Sequence, residues 1–304
     1  MTNVGIGRAA VIGLGSMGLG MAQSLLRSGI EVAGYDINPD AVAKFAKDGG
    51  IVAESPADAA RDADAVAVVV VNAQQTEAVL FGGDGAAPAM RRGGVILSSA
   101  TMAPEAARRL AGMAEAAGLE YLDAPISGGA IKAASGELTV MASGRPEAFS
   151  RAKPVLDSVA GTVYELGDEA GIGASFKIVN QLLAGVHIAA ACEAITFAKR
   201  LGLDIDMVYK VITASAGNSW MFENRVPHIL DGDYSPRSAI EIFTKDLGIV
   251  SDIGRETKFP LTMAATALQM YLMTAAAGMG KDDDSSIARM IAKMTGLELP
   301  EKSA

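Results

Sequence analysis

Residues 9–18 read Ala9-Ala10-Val11-Ile12-Gly13-Leu14-Gly15-Ser16-Met17-Gly18, an apolar run that ends in a glycine turn and passes into an amphipathic segment. A G-x-G-x-x-G pattern alone is a weak signal. Here it lies between an expected strand, Ala9–Gly13, and an expected helix, Met17–Ser28, with a second strand over Glu31–Asp36. That order is the context a dinucleotide-binding unit requires. Gly13 allows the tight turn, Gly15 lets a pyrophosphate approach the backbone, and Gly18 lets helix and strand pack closely. Leu14, Ser16 and Met17 complete the loop, and the unpaired N–H groups at the helix start face the phosphates.

Asp36 ends the second strand, roughly 20 residues beyond the first glycine, where a ribose-binding acid belongs. A carboxylate there accepts hydrogen bonds from both ribose hydroxyls of NAD and repels the 2′-phosphate of NADP. No Arg follows in Ile37-Asn38-Pro39, so NAD is the expected cofactor. The alternative for Asp36 is an ordinary turn-initiating Asp.

Outward from this unit the alternation continues. Asn38-Pro39 opens a helix, and Ala65–Val71 is a continuous apolar run of the kind buried on both faces of a sheet. Val95–Ser99 and Tyr121–Ala124 repeat the strand pattern around a helix over Pro104–Ala117 that Gly118 closes. The expectation is an α/β Rossmann fold with a doubly wound parallel sheet, extended by Leu138–Ala142 and Thr162–Glu165. Ala174–Leu201 reads as one long helix stopped by Gly202, and only helical segments follow. The expected domains are residues 1–170, binding NAD, and residues 171–304, an all-helical substrate and oligomerisation domain that begins with a long interdomain helix.

Ligands of such sheets lie beyond the carboxyl ends of the strands. Asn72, Thr101 and Asp123-Ala124-Pro125-Ile126-Ser127-Gly128-Gly129 occupy such ends. Asn72 and Thr101 are expected beside the nicotinamide or else serve as turn residues.

Composition narrows the function classes. The 304 residues suffice for two domains, and half of them are apolar. The net charge of −9, without a basic run, argues against nucleic acid as a partner. The single Cys192 reads as a small buried side chain. Two His and one Cys, widely spaced, give no zinc pattern, so no metal is expected. The apolar stretch Ile178–Ala191 is interrupted by Asn180, Gln181 and His187 and reads as too short and polar for a membrane span. A cytoplasmic protein that uses no membrane is expected. His187 reads as a core histidine, and His228, after Pro227, as an exposed loop residue. Asp282, Asp283 and Asp284 lack the alternating spacing of a calcium loop and read as a solvated helix start.

Four stretches resemble one family. Val11 to Gly18 resembles the opening signature of the β-hydroxyacid dehydrogenases, the family of 3-hydroxyisobutyrate dehydrogenase. Asp123 to Gly129 resembles their substrate-binding loop, Gly173 through Lys177 to Asn180-Gln181 their catalytic-lysine helix, and Lys245-Asp246-Leu247 a further motif of their helical domain. The resemblance spans nearly the whole chain. It implies that Lys177 is the general acid/base, that Ser127 with the backbone at Gly128 and Gly129 holds a substrate carboxylate, and that Lys245 and Asp246 border the site, Lys245 also on the cofactor side. It implies a small hydroxy acid as substrate and a homodimer or homotetramer. Lys177, Asn180 and Gln181 stand at i, i+3 and i+4 and share one helix face, either toward a bound substrate or toward solvent.

Departures from the family are informative. Gln181 stands where many members have a second Asn, Ala100-Thr101 where many have Ser-Thr, and Ser238 where an aromatic is common. A small polar Ser238 suits a polyhydroxylated substrate. Asn180 to His187, Ala216 to Arg225 and Gly280 to Ser285 resemble a subgroup that oxidises a four-carbon sugar acid at its 2-hydroxyl with NAD. This resemblance implies that Asn218 and Trp220 line the pocket, Asn218 binding a hydroxyl, the alternative for Trp220 being a core or interface anchor. The competing substrates are 3-hydroxyisobutyrate and glycerate. A non-catalytic NAD-dependent sensor of an acid metabolite is the competing class, and it would have no use for Lys177, Ser127 and Lys245 as proton-transfer and binding groups.

Overall fold

A computed structural model describes residues 6–302. Six strands, β1 (Arg8–Ile12), β2 (Glu31–Tyr35), β3 (Ile51–Val52), β4 (Ala65–Val68), β5 (Val95–Ser98) and β6 (Glu120–Asp123), form a parallel sheet in the order β3-β2-β1-β4-β5-β6. The order reverses between β1 and β4, so the glycine loop after β1 opens at the point where such sheets bind ligands. Alternate residues of one strand face opposite sides. Val11, Val32, Ala65 and Leu97 pack with Met21, Leu25 and Phe45, while Ala10, Ile12, Val66, Val68 and Ile96 pack with Leu80 and Leu110. This double burial explains the apolar runs. β4 stops at Val68, three residues before the end of its run, and Val69 N makes a last bond to Ile12 O at 2.8 Å.

The two later strands do not extend this sheet. β7 (Ile126–Ser127), β8 (Leu138–Ala142) and β9 (Ala160–Glu165) form a separate sheet in the order β7-β8-β9. Pro125, which has no N–H to donate, interrupts the chain between β6 and β7, and β7 turns back to pair antiparallel with β8. Asp123 and Ser143 bridge β6 to the residue after β8.

The chain divides into two compact units after Lys177. The division falls within a helix of 29 residues, Ile172–Arg200. By length and composition that helix could cross a membrane, yet half of its apolar window is buried inside the protein. In the second unit Ile188, Cys192 and Ile195 of this helix pack with Phe222, Val226, Phe243, Leu247 and Tyr271 from the helices Trp220–Leu230, Ile240–Glu256 and Thr262–Thr274.

Three local expectations are corrected here. Pro227 lies within Trp220–Leu230, so His228 is helical and buried rather than in an exposed loop. Asp283 and Asp284 are fully buried rather than solvated. His228 Nδ1 stands 2.9 Å from Asp283 Oδ1, and Arg225 Nε and Nη2 donate to Asp284 at 2.5 and 3.1 Å. These partners offset the cost of burying two carboxylates. His187 is only half-buried.

Candidate active site

The helix Ser16–Arg27 begins after Gly15 with no side-chain cap on its first turn, which leaves backbone donors available to an anion. Gly13 has φ +94°, and a Cβ on Gly18 would run into the Gly13 carbonyl. A Cβ on Gly15 would meet no protein atom within 4 Å, so the space before this loop is open to a phosphate. Asp36 ties the loop to β2. Leu14 N donates to its Oδ2 at 2.6 Å and Asn38 N to its Oδ1 at 2.7 Å. It is therefore the turn residue and a carboxylate at the carboxyl end of β2. The residues present fit a dinucleotide.

At the next strand ends the placements differ. Asn72 caps the helix Ala73–Phe81, its Oδ1 accepting from Gln75 N at 2.8 Å. Thr101 lies half-buried just beyond β5. Both stand on the carboxyl side of the sheet.

Lys177 is only 8% exposed, and its Nζ donates to Ile126 O at 2.8 Å. That bond places the amine at the first residue of β7, one residue before Ser127, and Gly128 joins β7 to the helix Gly129–Ser135. The start of the lysine-bearing helix is held by two side chains outside it. Asp123 Oδ2 accepts from Gly171 N at 2.9 Å and Ala174 N at 2.8 Å, and Ser143 Oγ accepts from Gly173 N at 2.9 Å. Burial pushes the Asp123 carboxyl up to about 6, against the Ala174 and Gly171 N–H groups, which favour its charged form.

In the second unit the expected polar residues converge. Asn180 Nδ2 donates to Gln181 Oε1 at 2.9 Å, and Gln181 Nε2 donates to Asp246 Oδ2 at 2.5 Å. Lys245 Nζ lies 2.8 Å from Asp246 Oδ1. Gln181 and Asp246 are buried, so this chain of four side chains is a fixed polar surface, separate from the buried Arg225–Asp284 and His228–Asp283 pairs of the same unit.

Comparison with known proteins accounts for both units. Residues 8–167 match the family described as the NAD binding domain of 6-phosphogluconate dehydrogenase. Residues 171–291 match the NAD-binding domain of NADP-dependent 3-hydroxyisobutyrate dehydrogenase. An L-threonate dehydrogenase of Cupriavidus necator is 55% identical over 96% of this chain and 98% of its own. The chain belongs to the 3-hydroxyisobutyrate dehydrogenase-like family. It is thus an NAD-dependent hydroxyacid dehydrogenase, an oxidoreductase. An L-threonate dehydrogenase of Pectobacterium atrosepticum is 49% identical over 96% of each chain. A crystal structure described as 3-hydroxyisobutyrate dehydrogenase from Salmonella typhimurium is 50% identical, covers 93% of this chain and 99% of its own, and superposes with a TM-score of 0.89.

Not every residue expected in this hydroxyacid dehydrogenase's site joins the groups above. Asn218 Nδ2 donates to Thr213 O at 3.2 Å and Glu223 Oε1 at 2.5 Å, bracing the turn before Trp220–Leu230. Trp220 is 55% exposed and is no core anchor. Ser238 O accepts from Asp284 N at 2.8 Å, which ties it to the buried aspartate turn. Sequence reasoning quoted Asp123 only as part of a loop and passed over Ser143. Their partners lie 30 to 51 residues away, beyond any local pattern.

Proposed function

We propose that this dehydrogenase oxidises L-threonate at its 2-hydroxyl to 2-dehydro-L-erythronate, with Lys177 as general base. The polar chain Asn180–Gln181–Asp246–Lys245 is the observation that carries the substrate class. A site built to hydrogen-bond hydroxyls leaves buried polar atoms unmatched when a methyl-bearing acid takes their place. The names of the relatives at 49–55% identity support the same substrate.

In this reading Asp36 holds the adenosine ribose, Gly13 to Gly18 hold the pyrophosphate, and Asn72, Thr101 and Lys245 serve the cofactor's nicotinamide side. Bound NAD supplies the hydride acceptor. Lys177, as the neutral amine, takes the hydroxyl proton onto Nζ, while the bond to Ile126 O fixes the amine's direction. Ser127 and the backbone of Gly128 and Gly129 receive the carboxylate. Asn180, Gln181, Asn218 and Asp246 read the hydroxyls. The domain division at residues 170 and 171, with NAD served by the first part and substrate selection by the second, belongs to the same proposal.

A homodimer or homotetramer and a cytoplasmic location complete the reading. Phe176, Val179, Leu183 and Phe197 are exposed along the long helix, at steps of three, four and fourteen residues, and Leu201 is exposed just beyond its end. Such a stripe is the seam of helix-to-helix association between copies.

The test is a panel of L-threonate, 3-hydroxyisobutyrate and D-glycerate with NAD, followed by NADH absorbance. L-threonate should give the highest kcat/KM. Equal efficiency with 3-hydroxyisobutyrate, the acid for which the Salmonella protein is named, would overturn the substrate assignment. No NADH from any acid would favour the sensor reading.

A further inference from the structure

We infer that Asp123 and Ser143 form a positioning clamp that sets the Lys177 amine for proton transfer. The inference rests on the reading of Lys177 as the base.

A helix normally takes its first-turn acceptors from the residue just before it. The helix Ile172–Arg200 instead takes them from two strands distant in sequence. Asp123 and Ser143 are themselves locked together. Asp123 N donates to Ser143 O at 3.0 Å, Ser143 N donates to Asp123 O at 2.9 Å, and Ser143 Oγ stands 3.4 Å from Asp123 Oδ2. Contact with the helix is close enough to demand glycine. A Cβ on Gly173 would lie 2.9 Å from Asp123 O and would run into Met141 O.

The bonds close a ring. Three residues after Asp123 comes Ile126, whose carbonyl accepts from Lys177 Nζ at 2.8 Å. Three residues before Lys177 comes Ala174, whose N–H donates to Asp123 Oδ2 at 2.8 Å. One corner of the ring is the side chain of Asp123 and the opposite corner is the amine. The same residue thus fixes both the turn beneath Lys177 and the start of the loop that carries Ser127. A purely structural cap would need only the helix start. Here every bond of the cap also refers the amine to the Ile126–Gly129 backbone. A displacement of about 1 Å at a reacting group can cost on the order of 10²-fold in rate.

The experiment compares Asp123→Ala, Asp123→Asn, Ser143→Ala and Lys177→Ala in the full chain. Measured are kcat, KM for L-threonate or the fastest acid of the panel, NADH affinity and Tm. Both backbone donors meet one oxygen, so Asp123→Asn keeps their acceptor and Asp123→Ala deletes it. Asp123→Ala and Ser143→Ala should lose roughly 10–100-fold in kcat, with KM and NADH affinity changed by less than about threefold. Asp123→Asn should recover roughly tenfold of the Asp123→Ala loss. Wild-type kcat in folded Asp123→Ala, with only Tm lowered and Lys177→Ala inactive, would overturn the clamp and leave the base standing. Near-wild-type Lys177→Ala would instead overturn the base. If Asp123→Ala does not fold, Ser143→Ala, which deletes a single acceptor of the helix start, decides the question alone.

Discussion

Lys177 enters the chemistry through one proton, and its variants separate positioning from acid/base work. Lys177→Ala should lose on the order of 10²–10⁴-fold in kcat while NADH affinity is unchanged. Lys177→Arg should not restore turnover, because a guanidinium keeps its proton. An ammonium has no lone pair, so kcat should rise with pH in a stopped-flow or steady-state profile, and Lys177→Ala should lose that rise. Asp36 poses a second single-residue question. Its two oxygens hold Leu14 N and Asn38 N, so Asp36→Ala should weaken NAD by loosening the loop and should admit NADP by removing a like charge. The NAD/NADP ratio of kcat/KM should fall, and equal use of both cofactors by the wild type would refute the role. Both residues were legible in the sequence because each belongs to a short motif with fixed spacing. Asp123 was legible only as a letter in such a motif, since what it does depends on Gly171 and Ala174.

Elements were read well where periodicity alone decides them. Five of the six parallel strands and the long helix follow from apolar runs and a 3.6-residue repeat, while β3, two exposed residues at the sheet edge, gave no such run. The second sheet was missed because β7 is two residues long and its pairing is set by Pro125 and by a partner strand beyond an intervening helix. The aspartate turn at residues 282–284 was misread as solvated because three consecutive carboxylates look polar, while Arg225 and His228, the partners of Asp284 and Asp283, stand 59 and 55 positions upstream. Those two partners lie at i and i+3 on one helix face, a signal available in retrospect. The turn also serves the helix Ile240–Glu256, which carries Lys245 and Asp246. Ile240 N donates to Asp282 O and Glu241 N to Gly280 O, both at 3.0 Å. Arg225→Met would leave Asp284 buried without its guanidinium. It should cost about 3–5 kcal/mol and lower the melting transition by roughly 10 °C or more in calorimetry. A shift within about 2 °C would show that the pair contributes little.

Across the molecule, the buried carboxylates Asp123 and Asp283 should answer acid in opposite directions, and Asp284, which burial also raises to about 6, should answer as Asp123 does. Asp123, with Arg108 and Tyr121 as its ionisable neighbours, has its folded-state value raised from 3.8 to about 6. Its contribution to stability is therefore complete below about pH 4 and is lost as pH rises through 6. Asp283 is raised by burial but held down at about 2 by His228 and Ser285. Its contribution is present above about pH 4 and is lost as pH falls toward 2. Calorimetry from about pH 3 to about pH 7 should show Asp123→Asn making the upper limb shallower, with the Asp284 share of it remaining, and leaving the lower limb unchanged. An upper limb unchanged in Asp123→Asn would reject the assignment. The remote acceptors of the lysine helix also have a consequence in time. The glycine loop and Asp36 leave the ribosome ahead of Asp123, Ser143 and Lys177, whereas the first turn beneath Lys177 needs partners made 30 to 51 residues earlier and already paired. In the order of synthesis, a new chain therefore completes its glycine loop well before it can set the amine of Lys177.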